Sequence, residues 1–424
     1  HSKRSKTLLA ICFLDLDGFK PVNDTYGHNV GEKLLVEVAE RITYSIREED
    51  TVSRQGGDEF AILLVDLESP FHSQQMLDRI QHDLAQPFYI ESNKISIRAS
   101  MGVTLYPDDD ADLDTLLRHA DQAMYQAKLS GRNSYQLFNL EDDQKTMHKQ
   151  LHLQEISDAL INDQLCLYYQ PKVNMRTGEA YGLEALIRWQ HPQRGLVPPL
   201  EFLPIIEGHD LEIQVGNWVL EQALKQMNAW LNQGITLQIS INISSQHLLS
   251  PGFVTHLDNA LMKYPNIDSQ NLQLEILESS VLGDLNGIRN ILNSCQNTLG
   301  ISFALDDFGT GYSSLTHLRN LPINIVKIDQ EFVKNMLDDP NDFAIIESVI
   351  GLSNSFNRNI IAEGVETTEH GLMLLIMGCD YAQGYGISRP MPAKELPEWL
   401  KSYTHNDTWK RYAEKQHSHQ EKRA

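Results

Sequence analysis

Apolar and polar positions alternate along this chain in two different rhythms. Over residues 7 to 138, short apolar runs rich in β-branched residues are interleaved with stretches of helical spacing. The run TLLAICFL reads as a buried strand, and VGEKLLVEVAERITYSI repeats its apolar residues at helical intervals. TVSRQGGDEFAILLV reads as two strands about a Gly-Gly turn, hence a hairpin. SIRASMGVTLY adds a strand, and DLDTLLRHADQAMYQAKLSG an amphipathic helix ended by Gly131. The pattern predicts an α/β domain over residues 1–139 with a central, mostly antiparallel sheet.

Residues 140–155 are polar and carry no β signal, which predicts a helical linker. Over 156–405 the rhythm changes to short strands separated by helical stretches. The strand candidates are LCLYYQPKV, AYGLEALIRW, LQISINIS, LQLEILES, ISFALDD, NIVKID, NIIAEGV and AQGYGIS. Near the carboxyl end of seven of them sits a polar residue: Glu184, Asn242, Glu275, Asp306, Lys327, Glu363 and Gln383. The intervals between these residues each hold a helix and two loops. Eight strands carrying functional side chains at their tips is how a (β/α)8 barrel builds an active face. Any one polar tip could merely end its strand, but seven in series fit that reading poorly. Residues 406–424 read as a polar, frayed tail.

Composition narrows the chemistry. The 424 residues exceed one ordinary core, and the 41% apolar content is ample for folded domains. A net charge of -22 argues against binding to a nucleic-acid polymer or an anionic membrane, because there is no cationic excess to displace phosphate counterions. An anionic substrate would need metal ions or a local basic pocket. The four cysteines are widely separated and form no C-x-x-C pair, so no zinc site or disulfide framework is expected, and a cytoplasmic setting fits best. No apolar run approaches a membrane span, and the amino terminus lacks a signal-peptide pattern.

In the second half, Glu184, Asn242, Glu275, Asp306, Asp307 and Glu363 would gather hard oxygen ligands at one barrel mouth. Such a set selects Mg2+ or Mn2+ over zinc. So many carboxylates would repel one another unless two metals relieved them, and the adjacent Asp306 and Asp307 could then serve both ions, as in two-metal phosphodiester hydrolysis. Lys327 would add a fixed positive charge near the attacking water. In the first half, RQGGDEF alone could be an ordinary hairpin. FLDLDGFK, however, also ends a buried strand in acids, so Asp15 and Asp58 could flank one Mg2+. Lys128 and Arg132, in AKLSGRN, suit a phosphate grip.

The motifs EALIRW, INIS, LEILES, DDFGTGYSSL, VKID, AEGVET and QGYGISRP resemble those of the EAL-domain cyclic-di-GMP phosphodiesterases. The resemblance implies a modified TIM (β/α)8 barrel that hydrolyses cyclic di-GMP to linear pGpG with two Mg2+ or Mn2+ ions. It implies that Glu184, Asn242, Glu275 and Asp306 bind one ion, and that Asp306, Asp307 and Glu363 hold the other. Lys327 would position the nucleophilic water, with Gln383 beside it. Arg188 would contact a substrate phosphate and Leu186 would pack on the substrate, while Glu278 would anchor the glycine-rich loop after Asp307, a loop that could report dimerisation. Leu277 stands where this motif more often has threonine, which implies altered tuning of that loop.

Residues 7 to 138 resemble the GGDEF diguanylate cyclases, which join two GTP molecules into cyclic di-GMP across a dimer. The resemblance implies that Asp15, the Leu16 carbonyl and Asp58 bind Mg2+ with GTP, and that Glu59 activates the 3'-hydroxyl. It gives Lys128 and Arg132 to the triphosphate, and Asn23 with Glu32 to guanine, Glu32 standing where the family has aspartate. REED, Arg47 to Asp50, is similar to the family's R-x-x-D inhibitory site; as a four-letter pattern it is also compatible with a plain solvated loop. The family's opening D-x-L-T-x-L-x-N-R segment has no counterpart before Thr7. The expected whole is a cyclic-di-GMP phosphodiesterase with a GTP-binding regulatory domain, working as a homodimer below an upstream sensory domain. A bifunctional enzyme is the near alternative, and a receptor without turnover is disfavoured because every expected metal position is filled.

Overall fold

The computed structural model describes residues 2–279, 284–309 and 318–421. The chain divides into two compact units, His1–Gln150 and Leu151–Ala424.

The first unit is built on strands β1 (Leu8–Asp17), β2 (Thr51–Gly56), β3 (Glu59–Leu67), β4 (Phe88–Ile90), β5 (Asn93–Ile95), β6 (Arg98–Tyr106) and β7 (Tyr135–Leu137). Five of them form a sheet in the order β2-β3-β1-β6-β7, antiparallel except for β6 and β7, and β4 pairs with β5 separately. β1 is central because its apolar run is buried from both faces: Ala10, Cys12 and Leu14 face one core, Ile11 the other. The helix Leu113–Leu129, capped where Asp112 accepts from the Thr115 N–H at 2.9 Å, closes the second face. Its approach requires Gly102 on β6, since a Cβ there would lie 1.9 Å from the Met124 backbone nitrogen.

The helix Leu140–Ile161 follows, longer than the 140–155 linker expected, and its Ile156 and Ala159 are buried in the core of the second unit. That unit contains β8 (Leu165–Asn174), β9 (Glu179–His191), β10 (Gly195–Val197), β11 (Gln238–Asn242), β12 (Leu272–Leu277), β13 (Ser302–Phe308), β14 (Ile325–Ile328), β15 (Asn359–Ala362), β16 (Tyr381–Ala382) and β17 (Met391–Pro392). Pairing runs β9-β11-β12-β13-β14-β15-β16-β8 and returns to β9, an eight-stranded closed barrel, with β10 and β17 pairing at its margins. Seven strands are parallel and β8 is antiparallel to both neighbours. The reason is local: only residues 175–178 separate β8 from β9, too few for a crossover helix, so the pair closes as a hairpin.

Along each barrel strand, side chains alternate between the interior and the surrounding helices. Leu183, Ile241, Leu274, Phe303, Val326 and Ile360 belong to the large core outside the barrel wall. Ala304, Ile325 and Ile361, with Tyr181 and Tyr381, form a separate apolar cluster. The polar residues at the strand ends share the inward parity.

The frayed tail expected after 406 is corrected by the structure. Asp407–Glu421 is a helix, and Trp409 in its first turn is 3% exposed. The indole lies against Gly371 and donates to the Thr368 carbonyl at 2.9 Å, which ties the segment to the helix Thr368–Met377. Apart from Trp409 and the partly buried Tyr412 the sequence there is mostly polar, so the docking rests on a few side chains that composition averages away. Among the described residues no helix is long and apolar enough to cross a membrane. The four cysteines are unpaired.

Candidate functional site

The barrel interior ends in an unusual concentration of charge. Lys327, on β14, is fully buried, and its Nζ lies 2.6 Å from Glu275 Oε2, 3.0 Å from Asp306 Oδ1, 2.6 Å from Glu363 Oε1 and 3.5 Å from Glu184 Oε2. Asn242 donates to Glu184 Oε1 at 2.8 Å, and Gln383 donates to Glu184 Oε2 at 2.7 Å. The structure therefore brings Glu184, Asn242, Glu275, Asp306, Lys327, Glu363 and Gln383 together at the carboxyl-terminal ends of the strands, as the barrel reading expects of such tips.

Asp306 and Asp307 are consecutive, and on a regular strand they would point to opposite faces. Pairing between β13 and β14 is irregular after Leu305, and Asp307 adopts a left-handed backbone, φ 51°. This bulge turns both carboxylates to one side. As a result, ligand oxygens of Asp306, Asp307 and Glu363 lie within 4.8 Å of one another, and so do those of Glu184, Glu275 and Asp306. Asp306 belongs to both groups.

The electrostatics follow from burial. For Lys327, burial opposes the charge, but Asp306, Glu184, Glu275 and Glu363 outweigh it and hold the ammonium well above its ordinary range. For Glu275, burial likewise opposes ionisation, but Lys327 and Lys172 together bring the carboxyl down to about 2. Burial pushes Asp306 up to about 7, with Lys327 pulling against it and Glu275, Glu184 and Asp307 adding to it. Burial and then Asp329 push Asp307 up to about 6. Glu363 is raised well above the carboxylate range, by burial first, with Asp306 and Glu184 adding and Lys327 opposing. Lys327 cannot neutralise this many carboxylates alone. Two oxygen-only groups of three that share one aspartate fit a pair of hard divalent ions, whose charge would remove the repulsion. Gln383 Oε1, buried without a hydrogen-bond partner, adds an acceptor with nothing to accept.

A cleft of about 230 Å3 opens over this cluster, and Leu186, Arg188, Lys334 and Tyr385 line it beside Glu184, Asp306, Glu363 and Gln383. Arg188 is half-buried, donates to its neighbour's Ile187 carbonyl at 2.8 Å and lies over the Tyr168 ring. Glu278, 1% exposed, accepts from the Gly309 N–H at 3.1 Å. Leu277 pairs in register with Asp306 and its side chain is exposed. The rest of the glycine-rich loop, 310–317, lies outside the described residues.

Three residues escaped the sequence reading. Gln170 and Lys172 sit on β8, where Gln170 accepts from Gln383 at 2.9 Å and Lys172 reaches Glu275 at 3.4 Å. The signal was present: in YYQPKV the two polar residues alternate through a buried strand. Asp329, in VKID, presses on Asp307 and caps the helix Gln330–Asn335 through the Glu331 N–H at 2.6 Å.

In the first unit, Asp15 on β1 pairs in register with Glu59 on β3, and the Leu16 N–H donates to the Asp58 carbonyl at 3.3 Å. The hairpin turn needs Gly57, φ 54°. Lys128 lies 2.8 Å from Asp15 Oδ2. Burial raises the Asp15 carboxyl; Lys128 opposes this, and Asp58 and Asp17 add to it. Among the described residues, the acids here do not form a group of three as close as those in the barrel. Arg132 has a left-handed backbone, φ 63°, at the end of the helix carrying Lys128. Asn23 Oδ1 lies against Gly31, next to Glu32, and Glu32 is held by Arg54 at 3.2 and 3.3 Å. Asp50 accepts from the Arg47 and Val65 N–H groups, both at 2.9 Å, so its carboxylate staples this loop, while the Arg47 guanidinium turns to His72.

Comparison with known proteins adds the following. Residues 153–390 match the EAL domain, and residues 1–134 match the diguanylate cyclase GGDEF domain. The chain is 40% identical over 394 residues to the bifunctional diguanylate cyclase/cyclic di-GMP phosphodiesterase MucR of Pseudomonas aeruginosa, covering 93% of this chain and 57% of that protein. It is 35% identical over 403 residues to the cyclic di-GMP phosphodiesterase PdeR of Escherichia coli, covering 95% of this chain and 60% of that one. The chain thus spans little more than half the length of these relatives. Among solved structures, the MucR phosphodiesterase from P. aeruginosa in complex with c-di-GMP aligns with a TM-score of 0.56 at 40% identity, over 58% of this chain and 99% of that one. The EAL enzyme Bd1971 with cAMP and cyclic di-GMP bound aligns with a TM-score of 0.59 at 29% identity, over 73% of this chain and 82% of that one.

Proposed function

Because this chain belongs to the EAL family, with a GGDEF domain ahead of its EAL domain, we propose that it is a phosphodiesterase that hydrolyses one phosphodiester bond of cyclic di-GMP to give linear pGpG. The observation that carries the reading is the pair of oxygen-only groups sharing Asp306 and gathered around the buried Lys327. Glu184, Asn242, Glu275 and Asp306 would hold one Mg2+ or Mn2+, and Asp306, Asp307 and Glu363 a second. When bound, such ions supply Lewis acidity and an activated water.

The remaining roles belong to the chain itself. Lys327 keeps a positive charge at the mouth that orients the attacking water and offsets charge developing on the phosphoryl oxygens. The unpartnered Gln383 Oε1 is an acceptor for that water. Arg188 faces the cleft as a phosphate contact, Leu186 gives the substrate an apolar wall, and Glu278 holds the start of the loop at Gly309. The GGDEF domain binds GTP with Mg2+ and regulates the barrel, and the protein works as a homodimer in the cytoplasm below a sensory domain.

Incubation with cyclic di-GMP and Mg2+, with pGpG followed by chromatography, tests the reading. Glu184→Ala should abolish product while the fold is retained. An unchanged rate would remove the barrel site from the reaction, and tight binding without turnover would make the protein a receptor. A second reading, synthesis of cyclic di-GMP from two GTP, is favoured by Asp15 beside Glu59 with Lys128 on Asp15. Cyclic di-GMP formed from GTP by the parent chain but not by Asp58→Ala would establish it.

A further inference from the structure

Beneath the acidic mouth lies a second polar layer that no motif marked. Lys172 reaches into the barrel from β8 and is fully buried. Its Nζ donates to Ser240 Oγ on β11, to Gln273 Oε1 on β12 at 3.3 Å and to Glu275 Oε1 at 3.4 Å. Three acceptors match the three N–H donors of an ammonium. Ser240 donates in turn to Gln273 at 2.7 Å, and Gln273 to Ser302 at 3.3 Å. Desolvating an ammonium is costly, and an apolar side chain would fill the same space without that penalty. The layer therefore does something for the site above it.

What it does is divide the Glu275 carboxylate. Oε1 is drawn into the lower layer by Lys172, whereas Oε2 faces Lys327 among the other acids. Glu275 thus has one oxygen committed to the barrel interior and one to the mouth. Ca2+ takes six to eight oxygens and readily uses both oxygens of a carboxylate, while Mg2+ and Mn2+ favour six-coordinate sites built from single oxygens. We propose that Lys172 is a positioning residue that restricts Glu275 to one-oxygen ligation and so biases the site toward Mg2+ and Mn2+ and against Ca2+. The inference rests on the two-metal reading of the mouth and assigns its ion selectivity to a residue outside the mouth.

The test is titration calorimetry of the full chain, stripped with chelator, against Mg2+, Mn2+ and Ca2+ in turn. In Lys172→Met the ammonium contact to Glu275 Oε1 is lost, so that this oxygen can join Oε2 on an ion, and a nearby positive charge is lost with it. All three ions should bind more tightly, with Ca2+ gaining on Mg2+ by about tenfold, the low end of what changing a residue that holds a ligand does to metal affinity. Lys172→Gln, uncharged and shorter, carries the same expectation should the methionine variant fail to fold. In a Glu275→Gln background, Lys172→Met should leave the ratio of Ca2+ to Mg2+ affinity unchanged, since the effect runs through Glu275; a purely structural role would not produce that dependence. A parent chain that binds Mg2+, and loses it in Glu184→Ala, but whose Lys172 variants keep the parental ratio, overturns the proposal alone. A parent chain that binds neither Mg2+ nor Mn2+ overturns the two-metal reading and the proposal with it.

Discussion

Replacing Lys327 by methionine, of similar length, removes the cation that joins four carboxylates and leaves them facing one another. Two unit charges about 3 Å apart interact by about 5–6 kcal/mol at an effective dielectric of about 20, and Lys327 has contacts of 2.6, 3.0 and 2.6 Å to Glu275, Asp306 and Glu363. Most of that gross attraction repays desolvation of the ammonium. What the variant loses is the compensation of carboxylates that remain buried, about 3–5 kcal/mol. All five tryptophans, Trp189, Trp218, Trp230, Trp399 and Trp409, lie in the second unit, so tryptophan fluorescence during urea unfolding reports the barrel without the first domain. In EDTA, Lys327→Met should lower barrel stability by about 3–5 kcal/mol. Saturating Mg2+ should recover much of the loss, since an ion at about 100 times its Kd contributes about 2.7 kcal/mol to the folded state. A deficit below about 1 kcal/mol in EDTA would refute the claim that Lys327 neutralises a buried acidic cluster.

Other expectations follow from single features. Gly102→Ala places a methyl 1.9 Å from the Met124 backbone nitrogen and should cost the first unit about 1–3 kcal/mol or more, seen as an earlier circular-dichroism transition with unchanged tryptophan fluorescence. Trp409→Ala should destabilise the barrel by about 3–5 kcal/mol and raise amide exchange across Asp407–Glu421; protection equal to the parent would show that the helix docks without the indole. His247, packed against Gly216, is held down to about 4 by burial first and His256 second. The unfolded chain binds this proton near the ordinary value of 6.5 and the folded chain does not, so stability is full above pH 6.5 and falls as pH drops toward 4, by up to about 3 kcal/mol. His247→Asn should flatten that part of the pH profile of barrel unfolding; an identical slope would assign it to other groups.

The amino-acid sequence by itself determined the order and kind of the elements and the identity of the acids. A series of strands each ending in a polar residue is legible along the chain, so Glu275 in LEILES and Lys327 in VKID could be assigned to one barrel mouth before any pairing was known. Gln170 and Lys172 in YYQPKV stood outside that series of strand tips, and two polar residues in an apolar strand read equally as an ordinary sheet edge. Only barrel closure, which brings β8 back against both β9 and β16, made those two residues interior.

The tertiary structure decided three further matters. The hairpin between β8 and β9 reverses one strand of the barrel, a consequence of a four-residue connection whose meaning depends on where both strands sit. The bulge at Asp307 turns two consecutive carboxylates to one side, which the period of two forbids on a regular strand. Trp409, with Tyr412 packed against the same core, converts a polar tail into a docked helix, because a few buried aromatic groups outweigh many solvated neighbours. In each case local chemistry was visible along the chain, and long-range geometry chose between its outcomes, because contacts between residues distant in sequence leave no periodicity to read.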